Sequence, residues 1–169
     1  MAQILVKNPG TPEFGGTPYG NSQVRHFVLE TSAIGAAVDG NSAAAIGATD
    51  TVVLGVLRAG MRLDDALAIV SDAFSATITG DLGFLYADGV DDTQALATKE
   101  GRPYVPQDAD YFFADLAVAA VGRTRANNTG VRPVTLPKDA NLVWTNQVAA
   151  HASAGRADFL IYGEDRGPL

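Results

Sequence analysis

Thr51-Val-Val-Leu-Gly-Val-Leu, Ala66-Leu-Ala-Ile-Val-Ser-Asp-Ala-Phe, Thr77-Ile-Thr-Gly-Asp-Leu-Gly-Phe-Leu-Tyr and Asp158-Phe-Leu-Ile-Tyr are strand-length runs of β-branched, aliphatic and aromatic residues set between Gly and Asp turn clusters. Short runs of this kind, set between turn clusters, predict an all-β fold, an antiparallel β-sandwich. In the first run both alternating sets are apolar, Val52, Leu54 and Val56 against Val53 and Leu57, as a strand covered on both faces requires. Outward from it, Gly60 is free to take a positive φ and turn the chain into residues 63–74. That segment reads two ways. With period two, Leu63, Leu67 and Ile69 share a face with the carboxylate of Asp65; as a helix over 64–70, Leu63, Leu67 and Val70 form a stripe and Asp64 caps it.

Further out, Val24, His26, Val28 and Glu30 alternate with Arg25, Phe27 and Leu29, a strand of mixed faces. Residues 34–48 are Ala, Gly, Asn and Ser with few large side chains, a surface loop or weak edge, with room for a short helix through Ala43, Ala44 and Ala45. Gly80-Asp81 marks a bulge in the run that ends at Asp88-Gly89. Residues 90–108 are polar and Pro-bearing and predict a long loop with a brief strand at 93–97. Over 110–121, Asp110 can cap while Phe113, Leu116, Ala117 and Ala120 form a stripe closed by Gly122, which predicts the fold's one short helix. Three more strand-length runs follow, at 131–136, 141–149 and 155–164, and Pro133 places the first at an edge.

At 169 residues and 47% apolar composition the chain fills one sandwich core, expected over residues 23–169. Residues 1–22 read as an extended N-terminal arm. Their stretch 8–21 is too rich in Pro and Gly for helix or inner strand, and Gln3-Ile-Leu-Val-Lys can carry a short strand onto a neighbour. The net charge of −7 argues against nucleic acid as a partner, since phosphate binding needs clustered Lys and Arg and only Arg123 and Arg125 form a basic pair. No apolar run approaches bilayer-spanning length and no signal peptide is visible, so a soluble product, cytoplasmic when made, with no membrane partner is expected. Without cysteine the chain has no disulfide, thiolate nucleophile or thiolate metal site.

The residues that carry chemistry elsewhere do not assemble into a set here. His26 and His151 belong to no ligand or nucleophile motif. Asp88, Asp91 and Asp92 offer oxygen ligands for Ca²⁺ but lack EF-hand spacing and its terminal Glu, so a solvated turn is the better reading. Asp108, Asp110 and Asp115 divide into cap and surface positions, and Asn127-Asn-Thr matches a glycosylation acceptor in a loop. Neither a P-loop, a dinucleotide fingerprint nor a nucleophile elbow is present, so no catalytic, cofactor or metal site is assigned and the protein is not expected to be an enzyme.

The order Asp50-Thr-Val-Val-Leu-Gly-Val-Leu-Arg-Ala-Gly-Met-Arg-Leu, then Leu82-Gly-Phe-Leu-Tyr-Ala-Asp-Gly, Asp108-Ala-Asp-Tyr-Phe-Phe and Gly155-Arg-Ala-Asp-Phe-Leu-Ile-Tyr resembles head decoration, or cement, proteins of tailed bacteriophages over residues 50–163. The resemblance implies a jelly-roll-like sandwich on the outer surface of the virion's capsid, bridging neighbouring copies of the major capsid protein and self-associating as a dimer or trimer. It also implies that 63–74 is a strand, with Leu63, Leu67 and Ile69 inward and Asp65 near its end. A carbohydrate- or receptor-binding sandwich of a phage tail or fibre is the alternative; it requires an exposed aromatic strip that includes Trp144 or Tyr111.

Overall fold

Among the described residues ten strands and one helix follow in the order β1 (Gln3–Leu5), β2 (Ser22–Thr31), β3 (Thr51–Leu57), β4 (Met61–Asp72), β5 (Thr79–Tyr86), α1 (Gln94–Glu100), β6 (Asp108–Ala117), β7 (Gly122–Arg125), β8 (Val134–Thr135), β9 (Ala140–Gln147) and β10 (Gly155–Asp165). The computed structural model describes residues 3–5 and 22–167; the Pro/Gly stretch at 8–21 lies outside them. One sheet runs β1-β3-β9-β5-β6 and the other β2-β10-β4-β7, with β8 also on β4. β5 pairs with β6, β4 with β7, β3 with β9 and β2 with β10, each antiparallel and each enclosing the one before in sequence. The chain is thus a long hairpin rolled on itself, an all-β sandwich. The three runs of the last third do pair antiparallel, but β8, β9 and β10 pair with earlier strands and not with one another.

Inward side chains of both sheets meet in a core built on Trp144, Phe84, Phe112, Phe113 and Phe159, all fully buried. Gly80 is there to admit Trp144. A Cβ at residue 80 would lie 2.2 Å from indole Cζ2, so the strand beneath the ring must lack a side chain. The expected bulge appears in the β5 to β6 ladder, whose register shifts between Gly80 and Leu82. β3 has its own irregularity between Val53 and Gly55; it keeps Leu57 in the core and turns Val56 outward, so the simple alternation does not hold to the strand's end.

Three expectations fail for identifiable reasons. Residues 110–121 form no helix; the segment is strand β6, because β5 needs a hydrogen-bonding neighbour on that side and three successive aromatics, Tyr111, Phe112 and Phe113, suit a pleated, half-covered surface. The short helix lies instead in the expected loop, where 93–97 is not a strand. Thr93 Oγ1 accepts the Leu96 N–H at 3.2 Å, and Gly101 closes α1 at φ 68°. Only Ala97 of that helix is buried, so caps rather than an apolar stripe define it. Finally, 63–74 is a strand, but a register shift against β10 at Asp65 reverses its phase: Leu63, Ala66, Ala68 and Val70 face the core, while Leu67 and Ile69 face outward. That shift removes Asp65 from the apolar side, where it pairs with Arg125. No helix forms through Ala43–Ala45; Ala45 bridges Ala36, and Ala36, Ala37 and Ile46 are buried.

Candidate docking surfaces

The chemistry-bearing residues do not converge on one site. His26 Nε2 lies 2.7 Å from Asp158 Oδ1 on the outward face of the β2 and β10 pair. His151 is 1% exposed at the other end of that sheet, edge-on to Phe74 with ring centroids 5.0 Å apart. The three carboxylates weighed for Ca²⁺ diverge. Asp88 takes Lys138 at 2.7 Å, Asp91 accepts the Gln107 N–H at 2.7 Å, and Asp92 takes Arg102 at 2.7 Å. Asp108 and Asp110 adjoin at the start of β6, where burial, with the nearby Asp110 carboxylate, raises the Asp108 pKa; Asp115 sits further along, its N–H on Asp81 at 2.8 Å. Arg123 and Arg125 lie on the short edge strand β7. Trp144 and Tyr111 are 0% and 5% exposed, and among the described residues the large exposed apolar side chains are all aliphatic, so the aromatic strip a glycan module needs is not formed by either residue.

Asn127 has a role the glycosylation reading missed. Its Oδ1 accepts the Ala114 N–H and its Nδ2 donates to the Ala114 carbonyl, both at 3.0 Å, while its own N–H reaches Phe112 O at 3.1 Å. Asn128 Nδ2 continues the pattern onto Asp110 O at 2.9 Å. Two carboxamides therefore stand in for a further strand along β6 and seal that sheet edge. Asn127→Ala is expected to destabilise the fold by about 1–2 kcal/mol, through two lost hydrogen bonds and two backbone groups left open. Urea unfolding measures the loss, and faster amide exchange at Ala114 locates it.

The two ends of the sandwich differ in charge. At one end the segments 32–50, 73–78, 118–121 and 148–154 carry no Lys or Arg, and Asp39 and Asp50 are their only carboxylates. Hydrogen bonds knit these loops together: His151 N–H to Ile46 O at 2.9 Å, Thr31 Oγ1 to Ser153 O at 2.9 Å, Ala152 N–H to Ser75 Oγ at 2.8 Å and Phe74 N–H to Val118 O at 3.1 Å. From this frame Ile34, Val121 and Val148 project at 65%, 66% and 70% exposure. The opposite end holds ion pairs, Asp88 with Lys138, Asp92 with Arg102, and Glu164 between Arg62 and Arg166, and there Arg62, Arg102 and Arg166 line a cleft of about 450 Å³. A cross-braced, aliphatic end with no Lys or Arg and only two carboxylates approaches the composition of the centre of a protein interface, where charged residues are depleted.

No family model matches the sequence, and no curated protein does. Among solved structures, a chain from "Capsid of Ralstonia phage GP4" aligns over 99% of this chain and 100% of its own length, with TM-score 0.60 and 17% identity. Chains of phage capsids share this fold. A second, from "Cyanophage Pam1 capsid asymmetric unit", aligns over 90% of this chain and 91% of its own, with TM-score 0.51 and 14% identity. The match to the first includes both sheets from end to end, so it is a likeness of whole chains and not of one shared hairpin.

Proposed function

We propose that this chain is a virion structural protein, a decoration or cement protein that lies on the outer surface of a phage head and bridges neighbouring major capsid proteins. The observation that carries the reading is the end-to-end likeness to a chain of a phage capsid, for a chain whose length is a single sandwich. Supporting it, the nested strand order is that of an eight-stranded jelly roll, an architecture common in viral capsids, with β1 and β8 as additions. The charge-poor, aliphatic end is the surface we assign to the shell. A domain that binds the assembled lattice and not free subunits stabilises the shell by mass action, and many copies multiply a weak contact.

Mixing the purified protein with undecorated heads assembled from the major capsid protein of the same genome is expected to give saturable, stoichiometric binding. Val121→Asp with Val148→Asp places two charges on the assigned end, at positions so exposed that folding should change by less than about 0.5 kcal/mol each. Head binding by that variant should fall at least roughly tenfold. Heads that stay bare with the wild-type protein overturn the reading; heads that bind the variant as well as wild type overturn the assignment of the end.

A further inference from the structure

The sandwich guards its sheet edges unequally. The β6 edge is sealed by Asn127 and Asn128, β7 is four residues long and carries two arginines, and β1 covers the start of β3. Where β1 ends, the buried Arg25 side chain reaches across and donates from Nη1 to Val56 O at 3.0 Å. Among the described residues the outer edge of β2 has no such cover along most of its length. The strand pairs with β10 without a register shift from Ser22 to Thr31, and it contains neither Pro nor Lys.

The direction of its backbone groups is set by two bonds at its end. Val38 N–H donates to Glu30 O and Ser32 N–H to Ala36 O, so even-numbered residues turn their N–H and C=O away from β10. Ser22, Val24, His26 and Val28 therefore aim their backbone groups outward, and among the described residues no backbone group bonds them there. Beside this open edge Val24 and Val56 are 54% and 44% exposed. A long, flat, unbulged edge framed by exposed valines is a template for strand addition.

We infer that β2 is a self-association edge on which a second copy of this chain adds its own β2 antiparallel across a two-fold axis. The charge pattern fits a second copy. With Val24 opposite Val24 of the partner subunit, and Ser22 opposite His26 of the partner subunit, Arg25 lies opposite Gln23 of the partner subunit and no like charges meet; the Arg25 side chain turns inward and each His26 already faces Asp158 of its own chain. The pairing is of the small, transient class and does not depend on the capsid reading.

Val24→Pro removes one outward N–H while leaving the β10 ladder intact, since Pro is tolerated at an edge position whose N–H faces away. Sedimentation velocity over a roughly hundredfold dilution range should show the wild-type mass rising toward that of a dimer, and the variant associating at least roughly tenfold more weakly, as the loss of two hydrogen bonds, one from each copy, gives. Amide exchange supplies a readout that needs no variant: Ser22, Val24 and His26 should slow with concentration. A wild-type chain that stays monomeric, a trimer, a Val24→Pro chain that associates like wild type, or slowed exchange only on heads overturns the inference, the last by giving the edge to the shell.

Discussion

Asp92→Ala should lower unfolding stability by about 3 kcal/mol in urea titration, although the residue lies in a polar stretch that reads as a solvated turn. The Asp92 side chain is fully buried. Its carboxylate accepts from Arg102 Nη1 and Nη2 at 2.7 and 2.9 Å, from the Val105 N–H at 3.0 Å and from the Thr93 N–H at 3.0 Å. Removing it strands a guanidinium whose side chain is only 14% exposed, together with two backbone donors, which is why the loss exceeds that of a surface ion pair. Glu100, 2.6 Å from Arg102 Nε, remains and holds the figure at the lower end of the range for broken buried pairs. Asp92→Asn keeps volume and some acceptor capacity and should cost less. The Arg102 hydrogen bonds, seconded by the Val105 N–H, hold the Asp92 pKa down at about 2, below the ordinary carboxylate value of 3.8. Its contribution is therefore complete above pH 4 and is lost as pH falls toward 2, a window the Asp92→Ala protein should lack.

Asp92 also illustrates where the sequence is legible. Strands bounded by Gly and Asp were readable at β3, β5, β9 and β10 because their periodicity is local, and that was enough for a sandwich. The phase of β4 was not, since the shift at Asp65 is fixed by β10, nearly a hundred residues away. β6 was misread for the same reason: an i, i+3 stripe exists in the sequence, but the unpaired edge of β5 decides the outcome. The docking end was hidden more deeply. The emptiness of 34–48 is plain in composition, yet only the nested register brings residues 73–78, 118–121 and 148–154 beside it. Similarly, Asn127 offers a motif in one dimension and a strand substitute in three. Side chains whose work is to bond a distant backbone leave no periodic trace.

Acidification between pH 6.5 and 4 should weaken the wild-type protein more than His151→Leu, by up to about 3 kcal/mol at the acid limit. His151 is buried, neither ring nitrogen has a hydrogen-bond partner, and its neighbours are Phe74 and the Gly35 backbone, where a Cβ would lie 2.1 Å from the His151 carbonyl oxygen. Burial lowers its pKa from 6.5 to about 4. The unfolded chain therefore takes up a proton that the folded chain refuses, and stability drops as pH falls through that window, levelling off below 4. Asp108 works against it: its pKa is raised, so the folded state holds a proton that the unfolded chain has released, and stability falls as pH rises above the ordinary carboxylate range. The wild-type profile alone is thus a difference of opposed slopes. Comparing wild type with His151→Leu cancels Asp108, which is unchanged in both, and isolates the imidazole. At neutral pH the variant should be at least as stable, because two unpartnered buried nitrogens are replaced by an aliphatic side chain. Identical slopes for the two proteins in chemical unfolding at pH 6.5, 5 and 4 would show that the ring is hydrated or paired in solution. Since His151 braces the loop end through Ile46 O, loss of its fit in acid should loosen the surface assigned to the shell before the sheets themselves give way.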